Sequence, residues 1–275
     1  MGNILDKIIA DKRIEVESRR SQTSLDELKD RVAALPRCRN FYKAVTRPNP
    51  RGINVIAEVK KASPSSGLIR KDFDPVAIAQ IYERCGANAI SCLTDEKYFQ
   101  GRLEYIEQIK EVVDLPVLRK DFIVDLWQVY ESRAAGADAM LLIAEALKPA
   151  DLMDFMIAAS ELTLTVLLEV HDADTLLNVR SLIGFPKKGN SVLGINNRDL
   201  TTMKVDLNTT SRLASLLDDT DELVAESGIR TRQDVEKLIR VGVRAVLIGQ
   251  TLCQHPDIAE KFQELFDPAP NKPRP

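Results

Sequence analysis

From Ile53 to residue 266 the sequence repeats one unit eight times, an apolar run followed by an amphipathic segment. The apolar runs are INVIAEV (53–59), NAISCLT (88–94), LPVLRKD (115–121), ADAMLLIA (137–144), LTLTVLLEV (162–170), NSVLGINN (190–197), ELVAES (222–227) and VRAVLIG (243–249). Apolar spacing and helix punctuation predict helices over 75–85, 102–113, 125–135, 149–160, 172–182, around 208–217, 231–240 and 256–266. Asp74 stands as an N-cap ahead of Pro75, and Gly86, Gly136 and Gly242 close helices. Strands that alternate with helices run parallel and are joined by right-handed crossovers. Eight such units predict a closed (β/α)8 TIM barrel. A doubly wound sheet is the alternative, but it carries a glycine fingerprint after its first strand, and INVIAEVKKASPSSG has none.

A helical lead-in of about fifty residues precedes the first strand. Ile4, Leu5, Ile8 and Ile9 have helical spacing and predict a helix over 3–21. Ser24 and Glu27 form a capping box for a second helix, expected to end at Leu35 before Pro36. Phe41 and Tyr42 open a short apolar cluster, and 48–52 reads as a loop. The expected class is α/β, with one barrel domain over 1–267. Within it, 1–50 form a helical N-terminal extension and 53–267 the barrel. The proline-rich tail 268–275 is expected to be disordered.

Composition narrows the function. The net charge of −3, with no long Lys/Arg run, leaves no nucleic-acid footprint. No apolar stretch approaches the roughly 20 residues that span a bilayer. Asp6, Asp11 and Lys12 interrupt the N-terminus where a signal peptide needs an apolar centre, so the chain reads as a mature cytoplasmic protein. Cys38, Cys85, Cys92 and Cys253 form no CxxC pair, and their spacing suits neither zinc nor a disulfide framework. His171 and His255 are the only histidines, which disfavours a His-rich metal site or a Ser-His-Asp triad.

In a barrel the chemistry sits at the C-terminal ends of the strands. Here those ends carry Glu58 and Lys60; Thr94 to Phe99; Arg119, Lys120, Asp121 and Phe122; Glu145; Glu169; Asn196 to Asp199; Glu226, Ser227 and Gly228; and Gly249, Gln250 and Thr251. One charged strand end is ordinarily a solvated loop residue. Polar groups at successive ends of one ring converge on one mouth and predict a site. The small-residue loops after the seventh and eighth strands suit a phosphate held by backbone N–H groups. Ser63, after the first strand, neighbours them in a closed ring. Lys61 points away from the face of Glu58 and Lys60 and reads as structural or solvated.

AEVKKASPSSG, SCLTDEKYFQG, LRKDF, LLEVHD, LGINNRDL and AESGI together resemble indole-3-glycerol phosphate synthase of tryptophan biosynthesis, over nearly the whole chain. The resemblance implies ring closure of a carboxyphenylamino-deoxyribulose phosphate with loss of CO2 and water, and no metal or organic cofactor. It implies a small-molecule substrate and is compatible with a monomer. It makes Lys120 the general acid on the substrate carbonyl. Lys60 would hold the carboxylate and act as a second acid. Glu169 would be the catalytic glutamate, and Glu58 the strand-one glutamate that pairs with the lysines. Asn196 would hydrogen-bond the substrate, with Arg198 beside it, and Glu226 and Ser227 would face its hydroxyls. Ser63, Gly228, Gly249 and Gln250 would cradle phosphate, and Phe99, Phe122 and Leu200 would wall the aromatic ring. Position 250 departs from the pattern, which has Glu or Ser there; backbone contacts to phosphate survive the change. The nearest rival is phosphoribosylanthranilate isomerase, which needs one acid and one base and leaves the second lysine and glutamate unexplained. A barrel that only binds a sugar phosphate would need that acid–base set broken, and it is complete.

Overall fold

The computed structural model describes residues 4–183, 188–199 and 202–267. The tail 268–275 and Leu200 lie outside the described residues. Eight strands form a closed parallel ring: β1 Asn54–Val59, β2 Ala89–Leu93, β3 Val117–Lys120, β4 Ala139–Ile143, β5 Thr165–Val170, β6 Ser191–Asn196, β7 Leu223–Glu226 and β8 Ala245–Ile248. The ring closes where β1 pairs with β8 on one side, Asn54 opposite Ala245, and with β2 on the other, Ile56 opposite Ala89. The expected barrel is therefore present.

Strand residues alternate between two cores. Ile56, Ala89, Leu118, Ala139, Leu141, Leu167, Val192, Val224, Ala245 and Leu247 fill the axis. Their neighbours, among them Val55, Ile90, Val117, Met140, Leu168 and Val246, pack outward against the helices. This is the period-two alternation of a pleated strand, applied around a ring. It decides which strand-end groups meet, since only residues in step with the axial set can enter the mouth.

The helical punctuation matches closely. Asp74 accepts hydrogen bonds from the N–H groups of Val76 and Ala77, both at 3.0 Å. Gly242 takes a left-handed φ of 89° after helix Arg232–Val241. Two stretches differ from expectation. The helix expected over 102–113 spans only Tyr105–Lys110, and a short turn, Glu96–Phe99, precedes it. Gly101 explains the break, because a Cβ there would lie 2.2 Å from the Leu93 carbonyl oxygen, so the chain runs flush against the end of β2. At the other end Asp257 caps helix Ile258–Phe266, and a separate turn, Gln250–Cys253, follows β8.

The lead-in forms α1 Ile4–Gln22, α2 Leu25–Ala33 and α3 Phe41–Thr46. The Ser24–Glu27 capping box is made in both directions. The short apolar cluster at Phe41 proves to be α3, which Asn40 caps. Fully buried Phe41 and Val45 plug the N-terminal end of the axis. Burying that phenyl contributes about 2–3 kcal/mol. Asn54, at the start of β1, donates to the carbonyls of Val45 and Arg47 and so ties the plug to the ring.

At the opposite end α1 lies over the mouth, fastened by ions. Lys12 is 1% exposed, with its Nζ 2.8 Å from Asp95, 3.0 Å from Asp121 and 2.8 Å from Glu15. Asp121 also pairs with Arg119 at 3.0 Å, and Arg119 reaches Glu131 at 2.8 Å. Burial alone would push the Asp121 carboxyl up, but Arg119 and Lys12 outweigh it and hold it well below the usual range. Arg19 pairs with Glu131 at 2.6 Å, and the Trp127 indole donates to the Thr23 carbonyl. Removing one partner of such a buried set strands the other. Lys12→Met keeps the aliphatic stem but leaves Asp95 and Asp121 facing each other, with an expected loss of about 3 kcal/mol in urea unfolding. A loss below about 1 kcal/mol would mean that apolar packing, not this ammonium, fastens α1.

Candidate active site

On five strands the axial face runs from its last apolar residue into polar groups that begin two or four residues further on. Ile56 leads to Glu58 and Lys60, Leu118 to Lys120, Leu167 to Glu169, Val192 through Gly194 to Asn196 and Arg198, and Val224 to Glu226. The intervening Arg119 and Asp121 of LRKDF enter the ion network under α1, although Asp121 also borders the cavity. One strand end thus serves two unrelated sets of charges.

These groups line one cavity of about 450 Å3. Fourteen of the fifteen sequence-predicted site residues border it: Glu58, Lys60, Ser63, Phe99, Lys120, Phe122, Glu169, Asn196, Arg198, Glu226, Ser227, Gly228, Gly249 and Gln250. The fifteenth, Leu200, lies outside the described residues. Ile4, Leu5 and Ile8 of α1 also border the cavity, so the lead-in helix supplies part of the wall.

Two lysine–carboxylate clusters stand inside. Lys120 Nζ donates to Glu169 Oε2 at 2.7 Å and to Glu226 Oε2 at 2.8 Å. Lys60 Nζ donates to Glu58 Oε1 at 2.8 Å and lies 5.5 Å from the centre of the Phe99 ring. In the resting structure these distances pair Lys120 with Glu169 and Glu226, and Lys60 with Glu58. Burial acts downward on Lys120, but Glu169, Glu226 and Glu58 outweigh it and raise its pKa. The surrounding carboxylates therefore favour the charged form of Lys120.

The two carboxylates on Lys120 are not equivalent. Burial pushes Glu169 upward, but Lys120 and His171 outweigh it and hold it well below the usual carboxylate range. Burial raises Glu226 and the charge of Glu169 adds to this, so its net shift is upward despite Lys120. Asn196 supports the first member, its amide donating to Glu169 Oε1 at 3.1 Å.

Two glycines make room for carboxylates. A Cβ at Gly194 would lie 2.3 Å from Glu226 Oε1. A Cβ at Gly249 would lie 2.3 Å from Glu58 Oε1 and 2.9 Å from Glu58 Cβ. Gly249 was expected at a phosphate cradle, and it also seats Glu58. Gly194 was not anticipated, although a glycine in mid-strand is a sign of close approach.

The opposite side of the cavity is polar and partly cationic. Ser227 and Gly228 have φ of 65° and 84°, and left-handed backbone at a serine is strained by about 1–2 kcal/mol. Asn197 holds this turn, its amide donating to the carbonyls of Glu226 and Ser227 while its oxygen accepts from Thr210. Sequence reasoning used only the first asparagine of INN. Burial, then the charge of Arg230, lowers the pKa of Arg198, so two guanidinium groups act on the same end. Ser63 is buried there, its Oγ accepting from the N–H of Ser66. Phe99 and Phe122 stack with ring centres 6.1 Å apart on the Lys60 side.

His171 was set aside in the sequence as an isolated histidine. It is one step further along the axial face from Glu169, with Nε2 3.3 Å from Glu169 Oε1 and Nδ1 3.1 Å from Glu145 Oε2. The signal that would have found it is that parity.

The sequence matches the family model described as indole-3-glycerol phosphate synthase over residues 5–265. It is 47% identical to indole-3-glycerol phosphate synthase of Geobacillus thermodenitrificans, covering 96% of each chain. It is 45% identical to the Rhodopirellula baltica protein of the same name, covering 93% of this chain and 95% of that one. Among solved structures, a mutant tryptophan synthase alpha-subunit from Pyrococcus furiosus superposes with a TM-score of 0.57 at 12% identity, over 78% of this chain and 97% of the other. A thiamine phosphate pyrophosphorylase, also from Pyrococcus furiosus, gives a TM-score of 0.53 at 16% identity, over 79% of this chain and 96% of that one. Those two likenesses concern the barrel alone, whereas the sequence matches run from α1 to the last helix: the chain belongs to the indole-3-glycerol phosphate synthase family.

Proposed function

We propose that this chain closes the indole ring of 1-(2-carboxyphenylamino)-1-deoxyribulose 5-phosphate, releasing CO2 and water, in tryptophan biosynthesis. The observation that carries the assignment of roles is the pair of lysine–carboxylate clusters in one cavity, Lys120 with Glu169 and Glu226, and Lys60 with Glu58.

The ring carbon that bears the carboxylate attacks the ketone carbon. As this bond forms, the carbonyl electrons move to oxygen, and Lys120 gives that oxygen a proton. The carbon–carboxylate bond then breaks, and its electrons restore the aromatic ring. Loss of the new hydroxyl as water needs a second acid, the part given to Lys60, while the nitrogen lone pair drives the departure. The last proton leaves the carbon next to nitrogen for Glu58, which can return it to Lys60 over 2.8 Å. Glu169 keeps Lys120 charged and aimed.

The phosphate is assigned to Ser63, Gly228, Gly249 and Gln250, with Arg198 as the cation, while Ser227 and Glu226 face the substrate hydroxyls. A left-handed pair of residues beside two guanidinium groups suits an anion. Phe99 and Phe122 wall the aromatic ring. Residues 1–267 act as one unit in this reading, since Ile4, Leu5 and Ile8 border the same cavity as Lys120. Cysteines that are all unpaired suit the reducing cytoplasm.

Purified protein should convert the carboxyphenylamino-deoxyribulose phosphate, followed by indole fluorescence, at a rate that chelator leaves unchanged. No turnover, or turnover abolished by chelator, would sink the proposal. Lys120→Ala should lower kcat by about 10²–10⁴-fold while substrate still binds; near-normal turnover would remove Lys120 from the acid role. Gly194→Ala and Gly249→Ala should each displace a carboxylate by about 1 Å and lower kcat by up to about 10²-fold. If both variants match the parent enzyme, the seats of Glu226 and Glu58 are unimportant to the chemistry.

A further inference from the structure

Glu169 and Glu226 compete for one ammonium. Each places an Oε2 within 2.8 Å of Lys120 Nζ, and both are almost fully buried. Two carboxylates beside one lysine are not both ionised without further help, and which of them takes a proton decides which is the base. Their second oxygens differ. Glu169 Oε1 has the amide of Asn196 at 3.1 Å and His171 Nε2 at 3.3 Å. Glu226 Oε1 faces Gly194 and has no hydrogen-bond partner among the described residues.

The setting of His171 fixes its charge. Its Nδ1 is 3.1 Å from Glu145 Oε2, and its backbone N–H donates to Glu145 Oε1 at 2.8 Å. Glu145 lies in the 3-10 turn Ala144–Ala146 that follows β4. The ring therefore has a carboxylate oxygen against each nitrogen. A neutral imidazole has one donor and one acceptor, and its acceptor would face an anion; only the imidazolium suits both sides. Burial works against that charge, but Glu145 and Glu169 outweigh it and raise the pKa to about 10. At 3.3 Å the contact to Glu169 is an ion pair rather than a well-angled hydrogen bond. Its effect is therefore mainly one of charge.

We propose that His171, braced by Glu145, is the positioning residue that keeps Glu169 rather than Glu226 the ionised partner of Lys120. This rests on the reading of Lys120 and Glu169 as the acid–base pair. His171 touches neither the assigned substrate groups nor Lys120, and acts through Glu169. Its own strand offers it Glu169, the turn after β4 offers it Glu145, and Lys120 stands beyond Glu169 on β3. Loss of the imidazolium leaves Glu169 with one cation shared equally with Glu226, so Glu169 takes up a proton at higher pH.

The test uses the full chain in which glutamate carboxyl carbons carry 13C, titrated by NMR without substrate, with the Glu169 signal assigned by its loss in Glu169→Gln. His171→Gln should raise the Glu169 midpoint by about one pH unit or more. Glu145→Gln, which loosens the brace from outside the cavity, should move it the same way by less. In turnover, the acid limb of the kcat profile should move up by a similar amount in His171→Gln, with KM changed less than about threefold. A Glu169 midpoint that stays put in both variants overturns the proposal. So does a uniform fall in kcat at every pH accompanied only by a lower melting temperature. If His171→Gln does not fold, the Glu145→Gln titration decides. If the parent protein fails to turn over substrate, the assigned reaction falls while the NMR midpoints still judge His171.

Discussion

Alternation along a closed ring of strands is the constraint on which this molecule depends. A residue either faces the axis, where space is limited and water is scarce at depth, or faces the helices. Leu118, Lys120 and Phe122 take one side of β3 and its exit, while Val117, Arg119 and Asp121 take the other. A shift of one residue would send Arg119 and Asp121 into the mouth and bury Lys120 beneath a helix. The same rule brings Glu58, Glu169, Asn196 and Glu226 from four separate strands to one level. Burial then makes pairing compulsory, because an ammonium or carboxylate at this depth is costly unless an opposite charge touches it. The resting site is accordingly a closed electrostatic set. It favours the charged form of Lys120 and gives two chemically identical glutamates unlike surroundings.

The outward half of the same strand ends has a different task. Asp95 and Asp121 receive Lys12, and Glu131 receives Arg19, so α1 is fastened by residues next in sequence to those that line the cavity. Asp121 follows Lys120 directly and carries Lys12, Arg119 and the hydroxyl of Thr94 at once. The cover and Lys120 therefore share one short length of backbone. Motion of α1 away from the mouth would uncover Asp121 and disturb the exit of β3 in the same event.

Much of this was legible in the sequence, for identifiable reasons. The eight apolar runs and their glycine and N-cap punctuation are local signals, and they located every strand of the ring. Glu58, Lys60, Lys120, Glu169 and Glu226 could be gathered because a barrel puts all strand ends on one side. Pairing could not be read, since it depends on distances across the axis between residues as far apart as Lys120 and Glu226. Gly194 and Gly249 were ambiguous because a glycine declares only that something comes close, not what. Asn197 was hidden behind Asn196, and His171 behind its lack of a second histidine, though its step from Glu169 was visible. Phe41 read as a loose cluster because α3 is too short to show a period. The break at Gly101 follows from contact with β2, which no local pattern reveals.

The fastening of α1 has a consequence for how the molecule is made. This helix is synthesised well before its anchors, which lie far downstream; Asp125 is 105 positions after Arg20. At ordinary rates of synthesis the helix waits roughly 5–20 seconds for its anchors to appear. Until Asp95 and Asp121 appear, Lys12 has only Glu15 of its own helix to pair with, and Leu5 has no axial core to rest on. A 19-residue helix of this kind is marginal alone in water. A segment made ahead of the barrel is thus among the last to be seated, and the mouth of the nascent barrel stays uncovered until then.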